Sequence, residues 1–215
     1  MTVITLLTDF GTADYFVPVV KGVILTSNPR VSIIDITHEI PPQDIASGAF
    51  TLLTCYRDLP PGTIHVAVVD PGVGSSRRPI VVSAGSHCFV GPDNGLFSYV
   101  YDNEPSHQTF HVTADEYFRG PVSPSFHGRD VFAPVAAALS KGLQPPALGP
   151  QITDEMRLAP LSPIQEKNGT VRGRIIHIDR FGNCITNFRL ADLPEQPELL
   201  VNGQVIRTVR TFFTD

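Results

Sequence analysis

Residues 69–80, VDPGVGSSRRPI, contain the side chains that a charged pocket needs. The segment follows the apolar run 64–69, which predicts a buried strand that ends in the Asp70 carboxylate. It then turns on proline and glycine residues and returns two guanidinium groups, Arg77 and Arg78. A carboxylate and a guanidinium held together can orient a small polar reactant. The alternative is an exposed loop in which Asp70 caps a turn and both arginines are solvated.

Two further segments place polar side chains next to predicted helices. Asp9 lies between the first predicted strand and the first predicted helix, where open α/β sheets bind ligands. Its carboxylate can accept hydrogen bonds from ligand hydroxyl groups, or it can cap the helix. His127 precedes the last predicted helix, and a helix N-terminus disfavours a charged imidazole, so a neutral hydrogen-bonding role is indicated. The alternative is a packed or surface histidine.

A third segment, residues 178–183, lies between two predicted strands near the end of the chain. It offers a carboxylate (Asp179), an aromatic ring (Phe181) and an amide (Asn183) within a few residues. These groups suit a zwitterion and a heterocycle. Asp, Gly and Asn are also ordinary turn residues, so a simple hairpin turn is the alternative.

Composition excludes several classes of function. The net charge of −5 and the scattered Lys and Arg residues argue against nucleic acid as a partner. No apolar run reaches the roughly 20 residues of a membrane span, and the N-terminus lacks a basic signal-peptide region, so we expect a cytoplasmic protein. No GxGxxG or Walker lysine is present, and the three cysteines and seven histidines show no ligand spacing. We therefore expect neither a cofactor nor a metal.

The elements that must position these residues fall into two parts. Residues 1–145 alternate short apolar runs with amphipathic ones, which predicts an α/β layered domain with a largely parallel sheet. Residues 146–165 are rich in proline and predict a linker. Residues 166–215 show period-two alternation and an Asn202-Gly203 hairpin signal, which predicts a small β domain. The predicted strands are 3–7, 31–36, 64–69, 80–82 and 88–90, and the predicted helices are 15–27, 44–56 and 131–139.

The chain resembles the S-adenosylmethionine (SAM) hydroxide adenosyltransferases, relatives of the fluorinases and chlorinases. The resemblance covers essentially the whole chain, and five segments carry it, in the order and at about the spacings of the family. They are TDFGTADYF (8–16), VDPGVGSSRRPI (69–80), GPDNGLF (91–97), FHGRDVFAPVAA (126–137) and IDRFGNCITN (178–187).

This resemblance implies an enzyme that cleaves SAM with water or hydroxide to adenosine and methionine. It assigns Asp70, Arg77 and His127 to holding and activating the water, and the spacing favours Arg77 over Arg78. It assigns the substrate contacts to a second set of side chains. Asp9 would bind the ribose hydroxyls, Phe126 would lie near the reacting C5′ carbon, Asp179 and Asn183 would hold the methionine amine and the adenine, and Phe181 would line that site.

The resemblance also implies a fold and an assembly. We expect an N-terminal α/β domain and a C-terminal β-barrel, in homotrimers with active sites at subunit interfaces. Family members continue past the equivalent of Asp215, so the barrel is expected to be incomplete in this sequence. The halogenating enzymes have an aromatic residue at the position of Asp70, and the fluorinase has a serine at that of Gly128, which favours hydroxide over halide here. The alternatives are a non-catalytic protein that binds SAM or adenosine, and a halogenase.

Overall fold

The computed structural model describes residues 2–194 and 197–207, and it divides into two compact units on either side of the Pro160–Leu161 bond. The last residues of the predicted β domain, 208–215, lie outside the described residues. None of the described helices has the length and apolar character that crossing a membrane requires.

The first unit is built on a seven-stranded sheet whose spatial order is β2-β1-β3-β5-β4-β6-β7. Its strands are β1 (Val3–Thr8), β2 (Ser32–Thr37), β3 (Ile64–Val68), β4 (Pro79–Ala84), β5 (His87–Pro92), β6 (Gln108–His111) and β7 (Gln151–Ile152). The pairings show that β1, β2, β3, β5 and β6 run in one direction, whereas β4 and β7 run in the other. This arrangement confirms the predicted α/β domain with a largely parallel sheet.

Helices cover both faces of this sheet, which explains why the side chains of the central strands are almost all buried. The helices are α1 (Phe16–Ser27), α2 (Ile45–Cys55), α3 (Ser98–Asn103) and α4 (Ala133–Ser140). On one face, α1 and α4 pack together with alternate residues of β1 and β3, such as Ile4 and Val66. On the other face, α2 packs so closely that a Cβ added at Gly48 would lie 2.9 Å from the Leu96 side chain and 3.1 Å from that of Val69.

Helix α4 is extended at its start by a π-helical turn, Gly128–Phe132. The sequence pattern predicts an α-helix from about residue 131, so the regular helix begins two residues later than predicted and the wider turn precedes it. The helix ends at Ser140, and Gly142 then has a φ of +99°, a conformation that glycine adopts without steric cost. Predicted helix α1 begins at Phe16, with Pro18 in its first turn as expected.

The Pro-rich segment contributes to the first unit as far as Pro160. A 3-10 turn, Pro145–Leu148, buries the Leu148 side chain completely. Strand β7 then pairs with β6 at the edge of the sheet. Much of the segment predicted as a linker is therefore packed structure.

The second unit contains three separate two-stranded antiparallel sheets in its described residues. The strands are β8 (Ile164–Gln165), β9 (Val171–Arg172), β10 (Ile175–Ile178), β11 (Cys184–Thr186), β12 (Leu199–Val201) and β13 (Gln204–Ile206). Asn202 and Gly203 join β12 to β13 with φ values of +48° and +78°, as a two-residue hairpin turn requires. The predicted all-β character of this part is confirmed.

Candidate active site

Asp9 and Asp70 follow neighbouring strands at the same edge of the sheet. Strands β1 and β3 are parallel, and Thr8 is paired with Val68. Because carboxyl ends of parallel strands meet at one edge, the sheet brings together two carboxylates that are far apart in sequence. This edge is the usual ligand site of open α/β sheets.

The Asp70 carboxylate forms a buried ion pair with Arg77. Arg77 Nε lies 3.0 Å from both Asp70 oxygens, and Arg77 Nη2 donates a further hydrogen bond to Oδ2. The two side chains are only 4% and 9% exposed. The guanidinium also lies over the Phe132 ring, with 5.2 Å between its central carbon and the ring centroid. Arg77 is therefore not the solvated arginine of the alternative interpretation, because it is paired with the Asp70 carboxylate.

His127 completes the cluster because Arg77 Nη2 also donates to its Nδ1, at 2.8 Å. A guanidinium has no acceptor, so Nδ1 must be unprotonated and the neutral ring must carry its proton on Nε2. Burial lowers the pKa of His127, and the positive charge of Arg77 lowers it further. The predicted neutral state is thus supported, although its main causes are burial and Arg77.

Arg78 contacts different carboxylates from Arg77. It bonds the Asp93 carboxylate through Nε at 2.9 Å and the Asp154 carboxylate through Nη1 at 2.8 Å. Of the two neighbouring arginines, Arg77 is therefore the one that joins Asp70 and His127.

A glycine allows the loop that carries Asp70 and Arg77 to lie against the loop that carries His127. Gly74 has a φ of +76°, and a Cβ added there would lie 2.2 Å from the backbone oxygen of Pro124. The two loops are therefore in close backbone contact, which no residue with a side chain would permit.

A cavity of about 290 Å³ opens beside this cluster. It lies near the lower end of the roughly 300–1,000 Å³ range of small-molecule sites. Asp9, Asp70 and His127 supply its polar wall. Its apolar wall includes Phe126, which the sequence predicts, and also Phe10 and Phe16, which the sequence does not predict. The three rings pack tilted or edge to face, with centroids 5.2 to 6.2 Å apart.

Asp9 is held by the backbone of the loop that contains Gln43, which no motif in the sequence indicates. Its Oδ2 accepts a hydrogen bond from the N–H of Gln43 at 2.8 Å. Gln43 has a φ of +67°, which is uncommon for a residue other than glycine and is typical of functional sites. Asp9 does not cap α1, because that helix begins at Phe16.

Asp179, Phe181 and Asn183 share one turn between β10 and β11 in the second unit. Asp179 Oδ1 accepts the backbone N–H groups of Phe181 and Asn183, each at 2.9 Å. Asn183 Nδ2 donates to Asp179 Oδ2 at 2.7 Å, and this bond lowers the pKa of Asp179. The Asp179 carboxylate therefore stabilises a hairpin turn, as the alternative interpretation expects. Phe181 is 88% exposed, so its ring is accessible to a ligand.

Outside this cluster, the described histidine, cysteine and carboxylate side chains form no metal site. Within residues 2–194 and 197–207, no group of three or more His, Cys, Asp and Glu side chains is placed to hold a metal. His65 and His87 are in contact, but they belong to a hydrogen-bonded chain inside the core that begins at Thr5. Burial lowers the pKa of His65 from 6.5 to about 3, so this residue is neutral.

The first unit matches a known domain over nearly its whole length. Residues 4–149 match the SAM hydroxide adenosyltransferase N-terminal domain, and residues 173–215 match the C-terminal domain of the same family. This chain belongs to the SAM hydroxide adenosyltransferase family. The segments that carry Asp9, Asp70, Arg77 and His127 all lie within the first match.

Relatives in this family carry two different names. A protein of Thermus thermophilus named (R)-S-adenosyl-L-methionine hydrolase is 39% identical over 96% of this chain and 81% of its own length. One of Methanocaldococcus jannaschii with the same name is 42% identical over 88% of this chain and 68% of its own length. A fluorinase of Actinoplanes is 26% identical, over 94% and 78% of the two lengths. This family member is thus more similar to the named hydrolases than to that fluorinase.

Solved structures of two bacterial proteins share the fold of this family member. An uncharacterized conserved protein from Thermotoga maritima superposes with a TM-score of 0.80 at 39% identity, over 86% of this chain and 70% of that protein. A conserved hypothetical protein from Thermus thermophilus gives a TM-score of 0.76 at 36% identity, over 96% and 80% of the two chains.

Proposed function

We propose that this family member hydrolyses SAM by attack of water at C5′, and that the products are adenosine and L-methionine. The observation that carries the proposal is the buried cluster of Asp70, Arg77 and His127 at the wall of a cavity that Asp9 also lines. Relatives that are 38–42% identical and named (R)-S-adenosyl-L-methionine hydrolase support it.

The proposed substrate contacts follow from the chemistry of the side chains. Asp9 accepts hydrogen bonds from the ribose hydroxyls, since Gln43 leaves most of its acceptor sites available. Phe126 contacts the substrate near C5′, and its ring face attracts the sulfonium charge. The carboxylate of Asp9, which lines the cavity and is not paired with a cation in the hydrogen bonds described above, adds to this attraction.

The main requirement of the reaction is a nucleophile at C5′, because the leaving group departs without assistance. The oxygen of water forms a bond to C5′, and the C5′–S bond breaks with its electron pair moving to sulfur. Methionine leaves as a neutral thioether, so no acid, metal or other cofactor is required at the leaving group. The attacking oxygen loses one proton, which balances the loss of the positive charge on sulfur.

The cluster assigns a different role to each residue around the water. Because Arg77 occupies His127 Nδ1, His127 donates a hydrogen bond from Nε2 and does not act as the base. Asp70 is then the acceptor of the water proton as the C–O bond forms. Arg77 fixes both groups and supplies positive charge near the developing hydroxide.

We further propose that the family member is a cytoplasmic homotrimer whose active sites lie at subunit interfaces. In this arrangement Asp179 and Asn183 hold the methionine amine and the adenine, and Phe181 lines that site. The exposed Phe181 ring and the other exposed apolar side chains of the second unit, such as Leu200 at 72%, support association with another surface. Light scattering on the purified protein tests the trimer, and a monomer at micromolar concentration would refute it.

The reaction is tested by incubating the protein with SAM in H₂¹⁸O and separating the products by chromatography and mass spectrometry. We expect adenosine and methionine, with the heavy oxygen in adenosine only. Labelled methanol would place the attack at the methyl group and contradict the proposal. Bound SAM without products would indicate a binding protein, and 5′-haloadenosine formed on addition of chloride or fluoride would indicate a halogenase.

A further inference from the structure

The segment 91–97, GPDNGLF, touches the proposed catalytic loop without reaching the cavity. Strands β3 and β5 are paired as far as Val66 and Val90, and their backbones then come so close that a Cβ at Gly91 would lie 2.3 Å from the oxygen of Ala67. The pairing of β3 with β5 ends at this point, and Pro92 has no backbone N–H to donate. The ladder therefore offers no donor from β5 to the carbonyl of Val69, the residue directly before Asp70.

Asn94 supplies the missing donor. Its Nδ2 lies 2.8 Å from the Val69 carbonyl oxygen. Val69 is fully buried, so its carbonyl needs a partner from the protein. The hydrogen bond fixes the backbone at the position from which the Asp70 side chain projects toward Arg77.

The neighbouring residue, Asp93, holds the other end of the same loop. Its N–H donates to the carbonyl of Arg78 at 2.9 Å, and its carboxylate binds the Arg78 guanidinium. Asn94 itself is fixed through its Oδ1, which accepts the N–H of Leu96 at 3.2 Å. Loop 70–78 is thus held at its start by Asn94 and at its end by Asp93.

We propose that Asn94 is a positioning residue that sets the Asp70 carboxylate, and through it Arg77, at the distance the attacking water requires. This inference rests on the proposed function. Asn94 does not line the cavity, so it acts on turnover through Asp70 and not on the binding of SAM. A displacement of about 1 Å in a catalytic group can lower turnover by about 10²-fold, so a single backbone hydrogen bond suffices for a large effect.

Two substitutions separate positioning from folding. Asn94→Ser and Asn94→Asp both keep an acceptor for the Leu96 N–H. An ionised Asp has no donor for the Val69 carbonyl, and the Ser hydroxyl ends one atom short of the position of Asn94 Nδ2. Asn94→Ser adds no charge. Ser98→Ala is the matched control, because the Ser98 hydroxyl donates to the carbonyl of Gly95 in this segment, accepts the N–H of Leu158 and makes no hydrogen bond to Val69. Thermal unfolding of each variant sets an assay temperature at which all are folded.

We expect both Asn94 variants to lower kcat at least tenfold while KM for SAM stays within threefold, and Ser98→Ala to keep kcat within twofold. The inference is overturned if Asn94→Ser keeps kcat within twofold, or if KM rises while kcat is unchanged. If the unmodified protein forms no adenosine, the proposed function has failed instead. A crystal structure of Asn94→Ser then decides the positioning claim, because unchanged Asp70 and Arg77 coordinates would refute it.

Discussion

Replacing Asp70 by asparagine separates two roles of this carboxylate, its contribution to stability and its proposed part in turnover. Asn keeps the shape of the side chain but removes its charge and leaves one oxygen for the three N–H contacts from Arg77. Because the two side chains are only 4% and 9% exposed, solvent cannot replace the lost partner. Breaking a buried ion pair on one side costs about 3–5 kcal/mol, and we expect the free energy of unfolding to fall by about that amount.

The effect on turnover has a separate cause, the loss of the group that accepts the water proton. A positioned base typically contributes about 10²–10⁴-fold, which corresponds to about 3–5 kcal/mol of activation free energy. The affinity for SAM should stay within a few fold, because Asp70 acts on the water and not on the bound substrate. Asp70→Asn should therefore lower kcat and kcat/KM by the same large factor.

The assay combines single-turnover formation of adenosine with calorimetric titration of SAM, at a temperature where the variant is folded. Glu155→Gln is a suitable control, because Glu155 is a carboxylate only 5% exposed that bonds Arg157 and His107 and does not line the cavity. We expect it to lose stability and keep its turnover. Asp70→Asn with kcat within threefold of the unmodified protein, or with affinity reduced as much as kcat, would refute the reasoning.

The remaining predictions concern binding, metals and pH. Asp9→Ala should weaken SAM binding more than it lowers kcat, as judged by titration and turnover together, because ribose contacts exist before the transition state. Exhaustive dialysis against a chelator should leave kcat unchanged, and recovery of activity only on adding a divalent ion would contradict the proposed metal-free reaction. The free energy of unfolding should depend on pH through His65, because its pKa falls from 6.5 to about 3 on folding. This contribution should be complete above pH 6.5 and should decrease on acidification, by about 2 kcal/mol at pH 5. His65→Gln should flatten that dependence in denaturant titrations.

The predicted elements agree with the structure where the apolar pattern is long and continuous. The first strand, predicted over 3–7, is Val3–Thr8, and the first helix, predicted over 15–27, is Phe16–Ser27. The prediction lacks α3 and β6, because six and four residues are too few to show a period. The π-helical turn before α4 has no sequence signal of its own.

Some residues of the candidate site could be predicted from sequence motifs, whereas others are placed there only by the packing of the chain. The sequence singles out Asp9, Asp70, Phe126 and His127, and the structure brings these four to one cavity. It could not indicate Gln43, since its contact with Asp9 is made by the backbone. Phe10 and Phe16 are present in the first motif, but a strand-loop-helix pattern does not show which aromatic rings turn inward. The roles of these residues in catalysis stay predictions.

In the proposed reaction, the shared contact of Arg77 with Asp70 and His127 orients a neutral water molecule between these two side chains. Arg77 can only donate, so it leaves His127 with a donor on Nε2 and Asp70 with free acceptor sites. A water between them accepts one hydrogen bond and donates another. One of its lone pairs then stays available for C5′, and the proton that must leave already points at a carboxylate. In the proposed reaction, one guanidinium thus gives its two neighbours opposite hydrogen-bonding roles toward the attacking water.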